Sequence, residues 1–378
     1  MKLRGVNISG LEFVAIQGWD PTNPWGGQTG DATPNFSTIQ TWAVNAVRLP
    51  LNEASWLGLS CDDISGDSVT VDANGNQTKD KPGQIIKADP GSNYQTTVQT
   101  TVSQANAAGM YVILNLQWAA PNYNGTPACP EIQNAMADQD HSTAFWTSVA
   151  TAFKDNPAVI FELFNEPFIG ESNVTNSNDN PYQDELNGTT GEDQLSTASA
   201  QLTFQWTTAG YQAMLDAVRA TGATNVVLVG TDSYDQTMTE WLAYVPADPL
   251  KQLAAAWHPY PAAPWGPANQ VICPGEPSCS AQEMTAVQNI LAAGYPVIAS
   301  EFGDAITSSP SSTAPWASVL LPWADTNGVS YLGWTWDTWG NSGANVLIID
   351  AAGTPTYGYG TYVKQHYLCV AAGTANCP

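Results

Sequence analysis

Basic residues are scarce in this chain. Ten Lys and Arg stand against 34 Asp and Glu, a formal net charge of −24 over 378 residues. No Lys/Arg stripe is available to neutralise a row of phosphates, so nucleic acid is excluded as a partner, and anionic membranes with it. No run of about 20 apolar residues occurs, so nothing is built to span a bilayer. Histidine appears three times and the six cysteines have no metal-ligand spacing, which argues against a zinc site; neither a metal nor a cofactor is expected. Charged residues make up only 12%, leaving Asn, Thr, Ser and Gln to supply the polar surface of a protein that meets an uncharged substrate. The opening MKLRGVNISG lacks the apolar core of a signal peptide. The even cysteine count nevertheless reads as disulfides of an exported protein, so either the signal has been removed from a secreted, extracellular protein or it is not exported, and the former is expected, as is a monomer. Sequence proximity favours Cys273–Cys279 and Cys369–Cys377, leaving Cys61–Cys129.

What is present is an alternation. At 43% hydrophobic the chain can bury a large core. Eight short β-branched or apolar runs recur: RGVNIS (4–9), NAVRLPL (45–51), MYVILNL (110–116), AVIFELF (158–164), NVVLVG (225–230), LAAAWH (253–258), YPVIAS (295–300) and VSYLGWTW (329–336). Segments of helical periodicity separate them, at 96–109, 141–155, 204–222 and 281–294. Gly109, Gly222 and Gly294 close three of these as helix C-caps. Strand–helix alternation implies a parallel sheet with right-handed crossovers. Eight units in one chain predict a closed (β/α)₈ TIM barrel, one catalytic domain over 1–378 with extended loops at the C-terminal face. The rival, a doubly wound open sheet, lacks its glycine-rich fingerprint after the first strand. Two long polar connections, 52–93 and 167–198, follow strands and are expected on that same face.

Two carboxylates then stand out. AVIFELFNEPF runs from an apolar strand straight into Glu166, and YPVIASEFGD repeats the design with Glu301. In a barrel, glutamates ending the fourth and seventh strands face each other across the mouth. A pair of carboxyls roughly 5–5.5 Å apart is the apparatus for cleaving a glycosidic bond with retention. One attacks the anomeric carbon; the other protonates the leaving oxygen and later deprotonates water.

FNEP and SEFG in these places resemble the signatures of glycoside hydrolase family five, the cellulase family of clan A. VRLP at the second strand, HPY at the sixth and GWTWD at the eighth extend the resemblance along nearly the whole chain, and segments such as NEASWLG and YLGWTWDTW are similar to those of secreted bacterial members. The resemblance implies a cofactor-free retaining endo-β-1,4-glucanase acting on β-glucan, with β-mannanase, xyloglucanase and β-1,3-glucanase as alternatives within the family. The rival from another class, a non-catalytic carbohydrate-binding barrel, predicts a missing carboxylate, and both are present. It implies Glu166 as acid/base and Glu301 as nucleophile. By the same carry-over Asn165 binds the sugar 2-hydroxyl and Arg48 holds Glu301 ionised. Tyr260 donates to the nucleophile, His258 lies close to the acid/base, and Trp334 floors the reacting sugar's subsite. Trp336 is two residues on and along a strand takes the same face, and a bulge would exchange their roles. One departure stands out: where the family commonly has aspartate, one residue, then histidine, this chain has Asn115 and Gln117. Gln117 can hydrogen-bond a sugar hydroxyl but carries no charge. His141 reads as a helix-start residue outside the core site.

Fifteen tryptophans and 14 tyrosines suit a cleft of stacking platforms. Trp19, Trp25, Trp118, Tyr123, Trp265 and Trp339 fall in strand-end loops and are candidates for it. Trp42, Trp146 and Trp206 fall in helical segments and are expected to pack against the barrel.

Overall fold

The computed structural model describes residues 2–13, 34–63, 69–71, 77–79, 84–87, 89, 92–123, 126–127, 134–169, 180–189, 193–196, 203–260, 277–304, 314, 316–338, 345–375 and 377–378. The eight apolar runs become eight parallel strands: β1 (Arg4–Asn7), β2 (Ala46–Asn52), β3 (Tyr111–Trp118), β4 (Val159–Glu162), β5 (Val227–Val229), β6 (Leu253–Ala256), β7 (Val297–Phe302) and β8 (Ser330–Gly333). Each pairs with its neighbours in chain order, and β8 closes the ring against β1. The chain is a (β/α)₈ barrel. Among the described residues no helix is long and apolar enough to cross a membrane.

The two faces of each strand serve different layers. Outward residues such as Val47, Leu49, Leu114, Leu116 and Phe161 join the large core between strands and helices. Inward residues form a separate plug of Leu3, Ala46, Ile113, Ile160, Leu228, Ala254, Ala256, Ile298 and Leu332. Each large aliphatic side chain in it contributes about 1.5–3 kcal/mol by leaving water. Register fixes what lies above the plug. Arg48 stands opposite Ile113, and two residues further along Asn115 stands opposite Glu162. The inward stripe of these strands therefore changes from apolar to polar within one step of the pleat.

Helices Tyr94–Ala107, Ser142–Phe153, Tyr211–Ala220 and Pro277–Ala292 occupy the periodic segments. Gly109, Gly222 and Gly294 follow three of them with φ of 78°, 85° and 94°, the left-handed cap that glycine adopts without a Cβ penalty. The expected helix over 204–222 is shorter than its periodicity suggests. Thr203–Trp206 is instead a strand paired antiparallel with Asp193–Ser196, and the helix starts after Gly210. A Cβ at Gly210 would lie 2.3 Å from backbone atoms of Asn187 and Gly188, so a close backbone crossing sets the start. Trp206 is therefore buried from a strand, not from a helix. Trp146 is buried on its helix, donating from Nε1 to the Leu163 carbonyl at 2.9 Å, and Trp42 is buried just past helix Phe36–Gln40.

The long connection after β2 carries structure of its own: helix Glu53–Leu57 and two antiparallel pairs, Ser60–Asp63 with Gln84–Lys87 and Val69–Val71 with Gln77–Lys79. Cys369 and Cys377 form a disulfide, and Cys61 is disulfide-bonded. Cys129, Cys273 and the side chain of Cys279 lie outside the described residues, as do Trp19, Trp25, Trp265, Trp339 and the side chain of Tyr123.

Candidate active site

Strand β4 ends at Glu162, and the chain continues through Leu163 and Phe164 to Asn165 and Glu166. A residue before proline is steered away from the right-handed helical region. Glu166, ahead of Pro167, takes φ 51° in the left-handed region. Its backbone N–H donates to Asp235 Oδ2 at 2.9 Å, and the Asn165 N–H donates to the Leu116 carbonyl at 3.0 Å. The strand has already ended at Glu162; the left-handed backbone at Glu166, held through its N–H by Asp235, turns the glutamate toward the barrel mouth, where its side chain is 17% exposed.

Strand β7 carries Glu301. Regular alternation would send Ser300 and Glu301 to opposite faces, yet both side chains bond into the site. The β7–β8 pairing shifts register between Ala299 and Phe302, and this irregularity re-aims the pair. Gly303 follows, and a Cβ there would sit 2.7 Å from Tyr260 Cε1, so this glycine lets the tyrosine ring lie against the strand end. Tyr260 donates its O–H to Glu301 Oε2 at 2.8 Å.

Arg48 is the hub. Fully buried on β2, it donates from Nε to Glu162 Oε2 at 2.5 Å and from Nη1 to Glu301 Oε1 at 2.5 Å. Further bonds run from Nη1 to Asn7 Oδ1 at 3.1 Å and from Nη2 to Asn165 Oδ1 at 2.8 Å. The last bond fixes the Asn165 amide, because an oxygen must face the guanidinium; its Nδ2 has no partner among the described residues. His258 lies between the acids. Its Nδ1 is 2.9 Å from Glu166 Oε1 and 3.9 Å from Glu301 Oε2, and its Nε2 is 3.1 Å from Ser300 Oγ. Ser300 passes the chain on, donating to Glu162 Oε1 at 2.8 Å. One oxygen of Glu166 and one of Glu301 lie within 4.8 Å of each other.

The charges follow from this wiring. Burial alone would raise Glu162, but the Arg48 charge and the His258 contact outweigh it and hold it at about 2. Burial opposes a charge on His258, and the carboxylates of Glu301, Glu162 and Glu166 prevail, raising it well above the ordinary imidazole value. Burial and the neighbouring Glu166 charge push Glu301 above the ordinary carboxylate value, and His258, Arg48 and the Tyr260 hydrogen bond offset only part of that rise. Asp235, buried beside the same group, is raised to about 7 by burial. Glu162, Asp235 and His258 bring donor atoms within 4.8 Å of one another, as do Glu166, His258 and Glu301. Most of those carboxylate oxygens already accept from Arg48, Ser300, Tyr260, His258 or backbone N–H groups. The carboxylates are thus held by cations and by N–H and O–H donors.

Of the remaining expected residues, Asn115 and Gln117 project inward from β3. Both amide atoms of Asn115 and the Oε1 of Gln117 are buried without a partner among the described residues. Trp334 is half-buried just past the end of β8, its backbone N–H donating to the Phe302 carbonyl at 2.8 Å. Trp336, 8% exposed, sits in the large core edge-on to Trp42 at 4.8 Å between ring centroids. Strand β8 ends at Gly333, so strand alternation does not carry to position 336. Trp118 is partly buried at the end of β3, edge-on to Phe13. His141 is the N-cap residue of helix Ser142–Phe153, its Nδ1 2.8 Å from the Ala120 carbonyl.

Matching the chain to protein families gives the profile of Cellulase (glycosyl hydrolase family 5) over residues 2–340. The chain belongs to glycosyl hydrolase family 5. Solved structures similar to this family 5 chain include an endo-β-1,4-glucanase from Xanthomonas axonopodis pv. citri, 20% identical, with a TM-score of 0.55 over 94% of this chain and 95% of that one. A β-glucanase from Saccharophagus degradans is 20% identical, with a TM-score of 0.56 over 98% and 88%. Cel5A from Thermotoga maritima in complex with cellobiose is 14% identical, with a TM-score of 0.56 over 93% and 94%. No curated protein matches the chain.

Four residues of the network went unread in the sequence: Asn7, Glu162, Asp235 and Ser300. Glu162 carried a signal, since a charge inside the apolar run AVIFELF is tolerated only when paired.

Proposed function

We propose that this family 5 glycosidase is a retaining endo-β-1,4-glucanase that works by double displacement. The observation that carries the reading is the approach of Glu166 and Glu301 to within 4.8 Å, oxygen to oxygen. Such closeness suits a retaining pair at roughly 5–5.5 Å and leaves no room for the water that an inverting pair holds between carboxyls roughly 6.5–9.5 Å apart. Glu301 is the nucleophile: both its oxygens are held, Oε1 by Arg48 and Oε2 by Tyr260, which aims its remaining lone pairs and favours the ionised form. Glu166 protonates the leaving oxygen, the Glu301–sugar ester forms, and Glu166 then takes a proton from the water that breaks that ester. The unpartnered Asn165 Nδ2–H group supplies the hydrogen bond to the sugar 2-hydroxyl, and Trp334 offers the apolar ring face beneath it. Asn115 and Gln117 present neutral amides to further hydroxyls.

The β-1,4-glucan substrate is supported by neighbours of the same fold, one in complex with cellopentaose and another with cellobiose. Secretion is supported by the Cys369–Cys377 disulfide and by the disulfide state of Cys61. Purified protein incubated with carboxymethylcellulose and with galactomannan tests the reading. Reducing ends should accumulate from the glucan at least tenfold faster, and preference for the mannan would overturn the substrate.

A further inference from the structure

Asp235 has no part in the chemistry just described, yet it is fully buried 69 residues from Glu166 and bonded to that residue's backbone. It ends a turn in which Ser233, Tyr234 and Asp235 have φ of 61°, 60° and 57°. Three successive non-glycine residues in the left-handed region are costly, by roughly 1–2 kcal/mol each, and persist only where the surroundings hold them. Here the surroundings are the acid/base loop. The Tyr234 N–H donates to the Pro167 carbonyl at 2.9 Å, and its ring stacks on Phe168 at 4.9 Å with 15° between planes. The Asp235 carboxyl accepts from Thr231 N–H through Oδ1 at 2.7 Å and from Glu166 N–H through Oδ2 at 2.9 Å. Its carbonyl accepts from His258 N–H at 2.8 Å. Space for the carboxyl is made by Gly230, where a Cβ would fall 1.9 Å from Asp235 Oδ1.

We infer that Asp235 is a positioning residue for the acid/base glutamate: the left-handed turn after β5 grips residues 166–168 and aims the Glu166 carboxyl at the leaving-group oxygen. The inference rests on the reading of Glu166 as acid/base. Glu166 is itself left-handed, so its side-chain direction depends on a backbone that its own conformational preference does not hold. Asp235 supplies the missing constraint through the N–H of that residue and sets the backbone of its partner His258 with the same residue. Misplacement of a catalytic group by about 1 Å can cost on the order of a hundredfold.

The test is a double-mutant cycle read on two leaving groups. Cleavage of cellotetraose needs a proton on the leaving sugar, whereas release of 2,4-dinitrophenolate from 2,4-dinitrophenyl β-cellobioside does not. Glu166→Ala sets the benchmark: selective loss on cellotetraose confirms the acid role, and equal loss on both refutes it whatever Asp235 does. Asp235→Asn exchanges one acceptor oxygen for an amide that faces an N–H. It should lower kcat on cellotetraose by about ten- to a hundredfold with KM little changed. Formation of the glycosyl-enzyme from the dinitrophenyl substrate should fall less than about threefold. In the Glu166→Ala background the same change should cost less than about twofold, because the group it positions is gone. Asp235→Ser, smaller and still an acceptor, serves the same cycle if the asparagine variant does not fold. Equal losses on both substrates, or a full further loss in the double variant, would overturn the proposal.

Discussion

Replacing Arg48 with methionine should do more than remove a contact to the nucleophile. One buried guanidinium faces two buried carboxylates, Glu162 and Glu301, each at 2.5 Å. Glu162 lies at about 2 against an ordinary value of 4.5, although burial alone would raise it, and Arg48 is the chief opposing cause. That shift corresponds to about 3 kcal/mol between its ionised and protonated states. Breaking a buried pair by deleting one partner costs about 3–5 kcal/mol in general, which agrees in size. The sign follows from linkage. A carboxyl depressed in the folded state contributes stability that is present above its unfolded value near 4.5 and is lost as pH falls through about 2. The methionine variant lacks that contribution and can instead take up protons on Glu162 and Glu301. Its deficit should therefore be about 3–5 kcal/mol at pH 7 and shrink steadily as pH falls from 4.5 toward 2. Urea unfolding followed by tryptophan fluorescence at pH 7, 4.5 and 3 measures it. A deficit under about 1 kcal/mol at pH 7, or one that does not change with pH, would refute the charge argument. Arg48→Lys should recover part of the stability and little of the activity, since an ammonium cannot reach Glu162, Glu301 and Asn165 together.

Glu12 and Asp235 are raised to about 7 by burial, so each contributes stability fully present below its ordinary value and lost as pH rises through 7. Calorimetry should find the protein more stable at pH 5 than at pH 8, by up to about 3 kcal/mol per group; a flat or rising profile would contradict it. Glu301→Gln should keep the fold and lower kcat by about 10⁴ or more, the scale of removing a nucleophile; retained turnover would remove Glu301 from that role. Opening the Cys369–Cys377 loop, eight residues in separation, should cost at most about 2.5 kcal/mol and leave kcat unchanged, because it ties down the end of helix Tyr359–Ala371. A large fall in kcat in a Cys369→Ala/Cys377→Ala variant would show that the terminal helix supports the site.

The barrel was legible because each strand is an apolar run bounded by glycine or a polar turn, and local pattern suffices to mark such elements. Glu166 and Glu301 were legible for a related reason: each follows an apolar run without a break. The helix from Tyr211 was overextended because FQWTTAG continues an acceptable helical period, and only the close crossing at Gly210 stops it. Asn7 and Ser300 look like ordinary strand polar residues until register places them beside Arg48 and His258. Asp235 could not be read at all. Its role arises from three left-handed residues that bring a loop after β5 against a loop after β4, and no propensity in TDSYDQ announces that turn. Trp336 shows the converse, an aromatic whose motif points to the cleft while its ring packs on Trp42.

Mass spectrometry of enzyme inactivated with 2,4-dinitrophenyl 2-deoxy-2-fluoro-β-cellobioside addresses the two-glutamate mechanism most directly. The account predicts one fluorocellobiosyl group per chain, carried by the peptide that contains Glu301. An enzyme that turns over β-glucan yet stays unlabelled, or that carries the label on Glu166, would contradict it.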